Sequence, residues 1–189
     1  MKKLLLTLCA ILFAMSAYAQ EHMTFKGVSM GCNITTFVSQ LESKGYTKKL
    51  LQDNGAVLSG SFAGKDDCII FVLCTESTKT VWKVAVKFPE QTSWYSLKSE
   101  YNTLKASYTE KYGTPKSYEF FSSPYYEGDG YELQALRMDK CTYASYFSTP
   151  VGDIGLEMTD DKCIRVSYED AANVKIRRVE KERAVSSDI

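Results

Sequence analysis

The chain has 189 residues, and its 23 lysines and arginines balance 23 aspartates and glutamates to a formal net charge of zero. Mixed, near-neutral charge excludes the basic surface that binds nucleic acid and the polybasic segment that binds anionic lipid. The 13 tyrosines and 9 phenylalanines are many for this length, and together with frequent Thr and Val they favour β-sheet.

Residues 1–19, MKKLLLTLCAILFAMSAYA, have the pattern of a secretory signal peptide. Lys2 and Lys3 precede an apolar run that is too short to span a bilayer, and a small-x-small cleavage site ends at Ala19. The mature chain then starts at Gln20, with 21 basic and 23 acidic side chains and no second apolar run of membrane length. We expect it to be periplasmic or secreted. Lipid attachment at Cys9 is a weaker alternative, because Cys9 lies inside the apolar run.

The first half, residues 20–90, is predicted to form a helix followed by strands. Asn33 is a suitable N-cap, and Gly45 suits the left-handed position that ends many helices. Between them, apolar residues recur at helical spacing: Ile34, Phe37, Val38 and Leu41. Three strand candidates follow, separated by turn-forming residues: VLSGSFAG, CIIFVLC and VWKVAVKF. The preceding segment FKGVSMG is expected to add an edge strand or a short hook.

The second half, residues 91–174, has the same order of predicted elements. Thr92 or Ser93 is the predicted N-cap of a longer helix that Gly113 and Pro115 end. Its apolar stripe has spacings of three and four: Trp94, Leu97, Tyr101, Leu104 and Tyr108. Five strand candidates follow: KSYEFF, YELQALRM, CTYASYFS, DIGLEM and CIRVSY. The charged tail, residues 175–189, is expected to begin as the end of a strand or helix and then fray.

These elements predict an α+β fold of two tandem repeats, each a helix packed on a short antiparallel sheet. A helix with one apolar stripe and a sheet with one apolar face cover each other, and short strands joined by turns pair antiparallel. The two halves also end on strands with similar alternation, KVAVKF and CIRVSYED. A single α+β domain without duplication is the alternative. The sequence does not decide whether the halves share one sheet.

Three segments carry a resemblance to known proteins: FKGVSMGCNITTFVSQLESKGY, GSFAG and WYSLKSEYNTLKASYTEKYGTP. They resemble a group of uncharacterised exported bacterial proteins, a likeness that covers most of the mature chain and implies no activity. The tandem plan of helix on sheet also resembles the architecture of the beta-lactamase inhibitor protein and of small outer-membrane assembly lipoproteins. That second resemblance is architectural, and it implies a binding module.

The sequence gives little support for catalysis. His22 is the single histidine, and it lies three residues into the mature chain, in a region expected to be mobile. A catalytic triad needs an imidazole that the fold holds in place. A G-x-S-x-G elbow, a phosphate loop and zinc-ligand spacing are all missing from the sequence. We therefore predict a protein that is not an enzyme and has no cofactor and no metal site.

Acidic residues cluster at 66–67, 127–129 and 160–161, where Asp and Gly are typical of turns. A calcium site formed by Glu127, Asp129 and Glu132 is an alternative, although the spacing matches no established calcium loop. A carboxylate-dependent hydrolase of the envelope remains an alternative function. It would require two facing acids within about 10 Å in a cleft.

Five cysteines remain after removal of the signal peptide: Cys32, Cys68, Cys74, Cys141 and Cys163. Cys68 and Cys74 lie on one predicted strand, roughly 20 Å apart, so they do not pair with each other unless that strand bends. A disulfide between Cys68 and Cys141 would join the two halves, and it is the preferred pair in an oxidising compartment. The alternative is that all five are reduced and buried as small apolar groups.

The segment YEFFSSPYYEGDGY, residues 118–131, is unusually aromatic. Tyrosine offers a large contact area with a polar tip, so Tyr125, Tyr126 and Tyr131 are the candidate binding residues. The alternative is a loop that folds back over its own sheet. The predicted function is an exported, non-enzymatic module that binds a protein or an envelope component. A small-molecule carrier is a second alternative, and an apolar pocket between helix and sheet would favour it. Neither the partner nor the oligomeric state follows from the sequence.

Overall fold

The computed structural model describes residues 21–187, and the predicted signal peptide lies outside these residues. The four helices of the described part are α1 (Ile34–Glu42), α2 (Trp94–Tyr112), α3 (Glu132–Arg137) and α4 (Ala171–Ser187). The first strands are β1 (Thr24–Phe25), β2 (Val28–Ser29), β3 (Thr47–Gln52), β4 (Gly55–Phe62), β5 (Lys65–Cys74) and β6 (Val81–Lys87). The remaining strands are β7 (Lys116–Phe121), β8 (Cys141–Thr149), β9 (Gly152–Met158) and β10 (Ile164–Asp170).

Eight strands form one sheet in the order β3-β4-β5-β6-β10-β9-β8-β7, and every neighbouring pair is antiparallel. This confirms the predicted α+β class and the antiparallel pairing. Each half of the chain supplies a helix followed by four strands, and the last strands of the two halves, β6 and β10, pair at the centre of the sheet. The two halves therefore share one sheet.

One face of this sheet is covered by α1 and α2. Asn33 caps α1 by accepting a bond from the Thr35 amide at 2.9 Å, and Ser93 caps α2 in the same way through the Ser96 amide. The helix residues that meet the sheet are buried in a single apolar core: Ile34, Phe37, Val38, Leu41, Leu97, Tyr101, Leu104 and Tyr108. The predicted stripes on both helices therefore face the sheet, with Trp94 packed at the edge of the core.

The segment FKGVSMG forms a separate two-stranded hairpin, β1–β2, outside the large sheet. Lys26 and Gly27 form its turn, and both have positive φ angles, of 52° and 74°. Phe25 and Val28 are each only 1% exposed, so the hairpin is packed into the core. This is the short hook that the sequence predicts as one of two possibilities.

Three segments differ from the sequence prediction. TKKLLQ, which has no alternating pattern, forms edge strand β3 through backbone pairing with β4. YELQALRM is not a strand: its residues Glu132–Arg137 form α3, because Leu, Gln, Ala and Arg favour helix and Ala135 and Leu136 are buried. The tail does not fray from Lys175 but continues α4 to Ser187. Among residues 21–187, no helix has both the length and the apolar character needed to cross a bilayer.

Candidate functional site

The second face of the eight-stranded sheet carries large apolar side chains that α1 and α2 do not cover. Strand β5 shows the alternation most clearly. Cys68, Ile70, Val72 and Cys74 point into the core, and the intervening residues Ile69, Phe71 and Leu73 are 38–39% exposed. We call this surface the open face. Its large apolar members are Leu50, Val57, Ile69, Phe71 and Leu73 at one end and Tyr118, Phe120 and Tyr146 at the other.

The strand register aligns the open face into rows across the sheet. The central row runs from one edge strand to the other in the order Leu50, Val57, Phe71, Ala85, Ser167, Gly155, Tyr146 and Lys116. Small side chains occupy the middle of this row, and larger ones lie on either side. With strands about 4.8 Å apart, Phe71 and Tyr146 are separated by four strand spacings, or about 19 Å. We call this arrangement the trough: its walls are the larger apolar residues at the two ends of the open face, and its floor is the surface between them.

Charged residues on the central strands are neutralised by their neighbours across the sheet. Lys83 Nζ donates to Glu169 Oε1 at 2.7 Å, and Arg165 Nε donates to Glu157 Oε1 at 2.9 Å. Each pair joins residues on adjacent strands, so the charges are held in fixed positions. The floor of the trough is therefore polar, and these four charges compensate one another.

The far wall of the trough is aromatic. The rings of Tyr118 and Tyr146 meet edge to face at 6.2 Å, and Lys116 Nζ lies 5.3 Å from the Tyr118 ring centroid. Phe120 is 50% exposed beside them. Exposed aromatic side chains with a polar tip or a nearby cation are typical of recognition surfaces. Sequence reasoning missed Tyr146, although its alternation with the buried residues of CTYASYFS was visible.

The predicted binding tyrosines lie in the loop between β7 and α3, on the helix side of the sheet. Tyr126 and Tyr131 are 65% and 60% exposed, whereas Tyr125 is half-buried and accepts a bond from Gln134 at 3.0 Å. The loop is held on the helix side because Glu127 pairs with Lys98 of α2. The structure therefore brings Tyr126 and Tyr131 near each other on an exposed loop and does not bring them to the open face.

The carboxylates proposed as calcium ligands have other partners. Glu127 binds Lys98, and this ion pair lowers the pKa of the Glu127 carboxyl. Asp129 accepts bonds from two backbone amides of its own loop, at Tyr126 and Tyr131, and Glu132 accepts one from Gly128. Within the described part of the chain, no cluster of three or more His, Cys, Asp or Glu side chains is placed to hold a metal ion.

His22 lies in a fixed position rather than in a mobile segment. Its Nδ1 is 3.1 Å from both carboxylate oxygens of Asp170, a side chain that is fully buried. Asp170 also accepts bonds from the amides of Met23 at 2.8 Å and Asn173 at 2.9 Å. The contact between His22 and Asp170 joins the start of the described chain to the start of α4, across 148 residues of sequence. This gives His22 a role in the fold.

The five cysteines within residues 21–187 are free thiols, and Cys68 and Cys141 are not brought together. Cys68 lies on β5 and Cys141 on β8, four strand spacings apart, which corresponds to about 19 Å. That separation is far beyond the reach of a disulfide. Burial raises the pKa of all five thiols, to about 12 for Cys141 and about 11 for Cys163.

Comparisons with protein-family models, curated proteins and solved structures find no match for the chain. The candidate site is therefore assigned from its geometry. Of the surfaces described above, the open face has the largest set of exposed apolar side chains in a common register.

Proposed function

We propose that this chain is an exported, non-enzymatic binding module of the bacterial cell envelope and that its open face binds a protein partner. The observation that carries the proposal is the set of exposed apolar and aromatic side chains on the face that α1 and α2 do not cover. We place the protein in the periplasm or outside the cell, after signal-peptide cleavage near Ala19.

The exposed side chains favour a macromolecular partner. An antiparallel sheet with one solvated face normally has polar residues on that face. Here Ile69, Phe71 and Leu73 project from one strand with more than a third of their surface in water. Contiguous exposed apolar side chains on a soluble domain mark interaction surfaces. Their burial against a partner at about 25 cal/mol per Å² would supply the main driving force for binding.

The layout of the open face indicates what the partner surface must offer. Apolar contacts are expected at the two walls, around Phe71 and around Tyr146, since these side chains lie about 19 Å apart. Between them the partner must tolerate a set of paired charges, because Ala85 is only 9% exposed and Gly155 is buried. A folded protein with two apolar contacts about 19 Å apart and a polar surface between them matches this description.

We further propose that the chain is an internal duplication. Each half has a helix followed by four antiparallel strands, and the halves meet through their last strands. This order supports two tandem repeats and the architectural resemblance to the beta-lactamase inhibitor protein. The parallel with that protein favours a binding role, as an analogy of architecture.

Two observations support a non-enzymatic role. The raised pKa values of the five thiols keep them protonated at neutral pH, which disfavours a cysteine nucleophile. The imidazole of His22 is directed toward a buried carboxylate that also caps α4. The contact of His22 with Asp170 therefore has a role in stabilising the fold.

The test is affinity capture from the native envelope with the mature chain as bait and mass spectrometry of the retained proteins. The open-face variant combines Phe71→Ser with Tyr146→Ser, and the loop variant combines Tyr126→Ala with Tyr131→Ala. Tyr95→Ser is the matched control, because Tyr95 is 83% exposed on α2. Circular dichroism verifies that each variant is folded.

We expect one retained protein to be lost with the open-face variant and kept with the Tyr95 control. Loss with the loop variant alone would place the contact at Tyr126 and Tyr131 and would overturn the assignment to the open face. Equal retention by all variants would overturn it as well.

A second candidate function is small-molecule binding. A half-open pocket of about 370 Å³ lies between α2, the β1–β2 hairpin and the end of β4, and aromatic side chains line it. Its size falls within the range of small-molecule sites.

A further inference from the structure

The pocket beside the hairpin is built from two stacked aromatic pairs. Phe25 and Phe62 stack at 5.5 Å with an interplanar angle of 10°, and Tyr108 and Tyr112 stack at 5.7 Å and 26°. Tyr168 joins the pairs, since its ring lies 5.5 Å from Phe25 and 6.5 Å from Tyr108. All five rings line the pocket. Such walls suit a ligand with a flat apolar body.

The charge around this pocket is positive. Lys26 Nζ lies 5.8 Å from the Phe62 ring centroid, and Lys111 Nζ lies 4.9 Å from the Tyr112 ring centroid. Neither lysine forms an ion pair with any acidic group among residues 21–187, and none of the described residues that line the pocket is acidic. Two ammonium groups without a counter-charge beside an apolar slot favour a ligand with a negative charge.

The pocket also contains a spare hydrogen-bond donor. The hydroxyls of Tyr108 and Tyr168 bond to each other, and this is the only hydrogen bond that either phenol makes within residues 21–187. Two hydroxyls have two hydrogens, so one of them is left without a protein acceptor. Burial raises the pKa of Tyr108 to about 12 and raises that of Tyr168 well above its ordinary value, so both phenols stay protonated at neutral pH. The free hydrogen is available to a ligand oxygen that reaches these two hydroxyls.

We propose that this pocket binds a small organic anion with a planar aromatic body. The aromatic body packs against the two stacked pairs, and the acidic group lies at the rim near Lys26 and Lys111. The site is on the helix side of the sheet, so it is separate from the open face, and the proposal does not depend on the proposed protein partner.

The test is isothermal titration of the mature protein with three probes: 2-naphthoate, neutral 2-naphthamide and aliphatic decanoate. We expect 2-naphthoate to bind about tenfold more tightly than 2-naphthamide, as one charge-assisted bond predicts. Decanoate is expected to bind more weakly than 2-naphthoate because it cannot stack. Tighter binding of decanoate would indicate a fatty-acyl ligand and would overturn the aromatic assignment. Equal binding of acid and amide, or no binding at millimolar concentration, would overturn the proposal.

Variants locate the site without disrupting the fold. Lys111 is exposed, so Lys111→Met should weaken 2-naphthoate about fivefold and leave 2-naphthamide unchanged. Lys111→Arg should retain binding, because it keeps the charge. Lys175→Met is the matched control, since Lys175 is an exposed lysine on α4 that does not line the pocket. An equal effect of Lys175→Met and Lys111→Met would show non-specific charge attraction and would contradict the assigned site.

Discussion

Val86 of β6 lies directly opposite Val166 of β10, and both side chains are fully buried. This pair joins the two halves of the chain, because β6 ends the strands of the first half and β10 ends those of the second. On the opposite face, Ala85 and Ser167 of the same strand pair form part of the trough floor. The contact that unites the sheet therefore also places the two walls of the open face on one continuous surface.

A cavity at this junction should destabilise the whole chain. Val166→Ala removes two buried methyl groups and leaves a void, so we expect the free energy of unfolding to fall by about 2–3 kcal/mol. Val179→Ala on α4 is the matched control, since Val179 is 43% exposed, and it should change stability by less than about 0.5 kcal/mol. Urea denaturation followed by circular dichroism should show one transition for each variant. Two separate transitions would contradict a single cooperative sheet.

Loss of the Asp170 carboxylate should release both the hairpin and the start of α4. Asp170→Ala leaves the amides of Met23 and Asn173 without their acceptor, and we expect a loss of about 2–4 kcal/mol. Hydrogen exchange at these two amides should speed up more than elsewhere. His22→Gln removes only one of the three donors and should cost less than about 1 kcal/mol. If Asp170→Ala were as stable as the wild type, the hydrogen bonds of the Asp170 carboxylate would not contribute to stability.

Stability should fall at alkaline pH partly because of Tyr108. Burial raises its pKa to about 12, an effect larger than the opposing hydrogen bond with Tyr168. Because the folded pKa lies above the ordinary value of 10, this contribution is complete below pH 10 and is lost as the pH rises toward 12. Between about pH 9 and pH 11, Tyr108→Phe should lose about 1 kcal/mol less stability than the wild type. Equal pH dependence of the two proteins in urea denaturation would exclude this role of Tyr108.

The rate at which each cysteine is alkylated in the native protein should follow the exposure of its thiol. Cys32 is the partly exposed cysteine, and the other four are buried. Iodoacetamide at neutral pH should therefore modify Cys32 first in the native protein and all five cysteines in urea without reductant. Mass spectrometry of tryptic peptides gives the sites. If Cys68 and Cys141 remain unmodified in urea until reductant is added, they form a disulfide, and the described arrangement of the sheet is wrong.

Much of the fold follows from local patterns in the sequence. Asn33 and Ser93 have side-chain oxygens that accept bonds from free amides at a helix start, and they cap α1 and α2 as predicted. The apolar spacing identifies the buried stripes of both helices. Strand β3 was missed because its two lysines and two leucines do not alternate and every residue in it is exposed. Its strand conformation comes from pairing with β4. Helix α3 was missed because Leu133 and Ala135 also fit a strand with every second residue apolar.

The candidate site was less predictable, because it depends on contacts between distant segments. CIIFVLC is apolar on both faces, which is typical of a strand covered on two sides. Only the three-dimensional arrangement shows that Ile69, Phe71 and Leu73 remain uncovered. The partner of His22 is 148 residues away, so its fixed position has no local signal. The tyrosine loop was conspicuous in the sequence, yet it lies on the other side of the sheet.

Photo-crosslinking in the intact envelope tests the open face most directly. p-Benzoylphenylalanine is placed at Phe71 or Tyr146 on the open face, and at Tyr95 on α2 or Tyr126 in the loop as comparison positions. Our account predicts that Phe71 and Tyr146 both crosslink to the same partner protein and that Tyr95 and Tyr126 do not. Crosslinking to a partner from Tyr95 or Tyr126, with none from Phe71 and Tyr146, would contradict it.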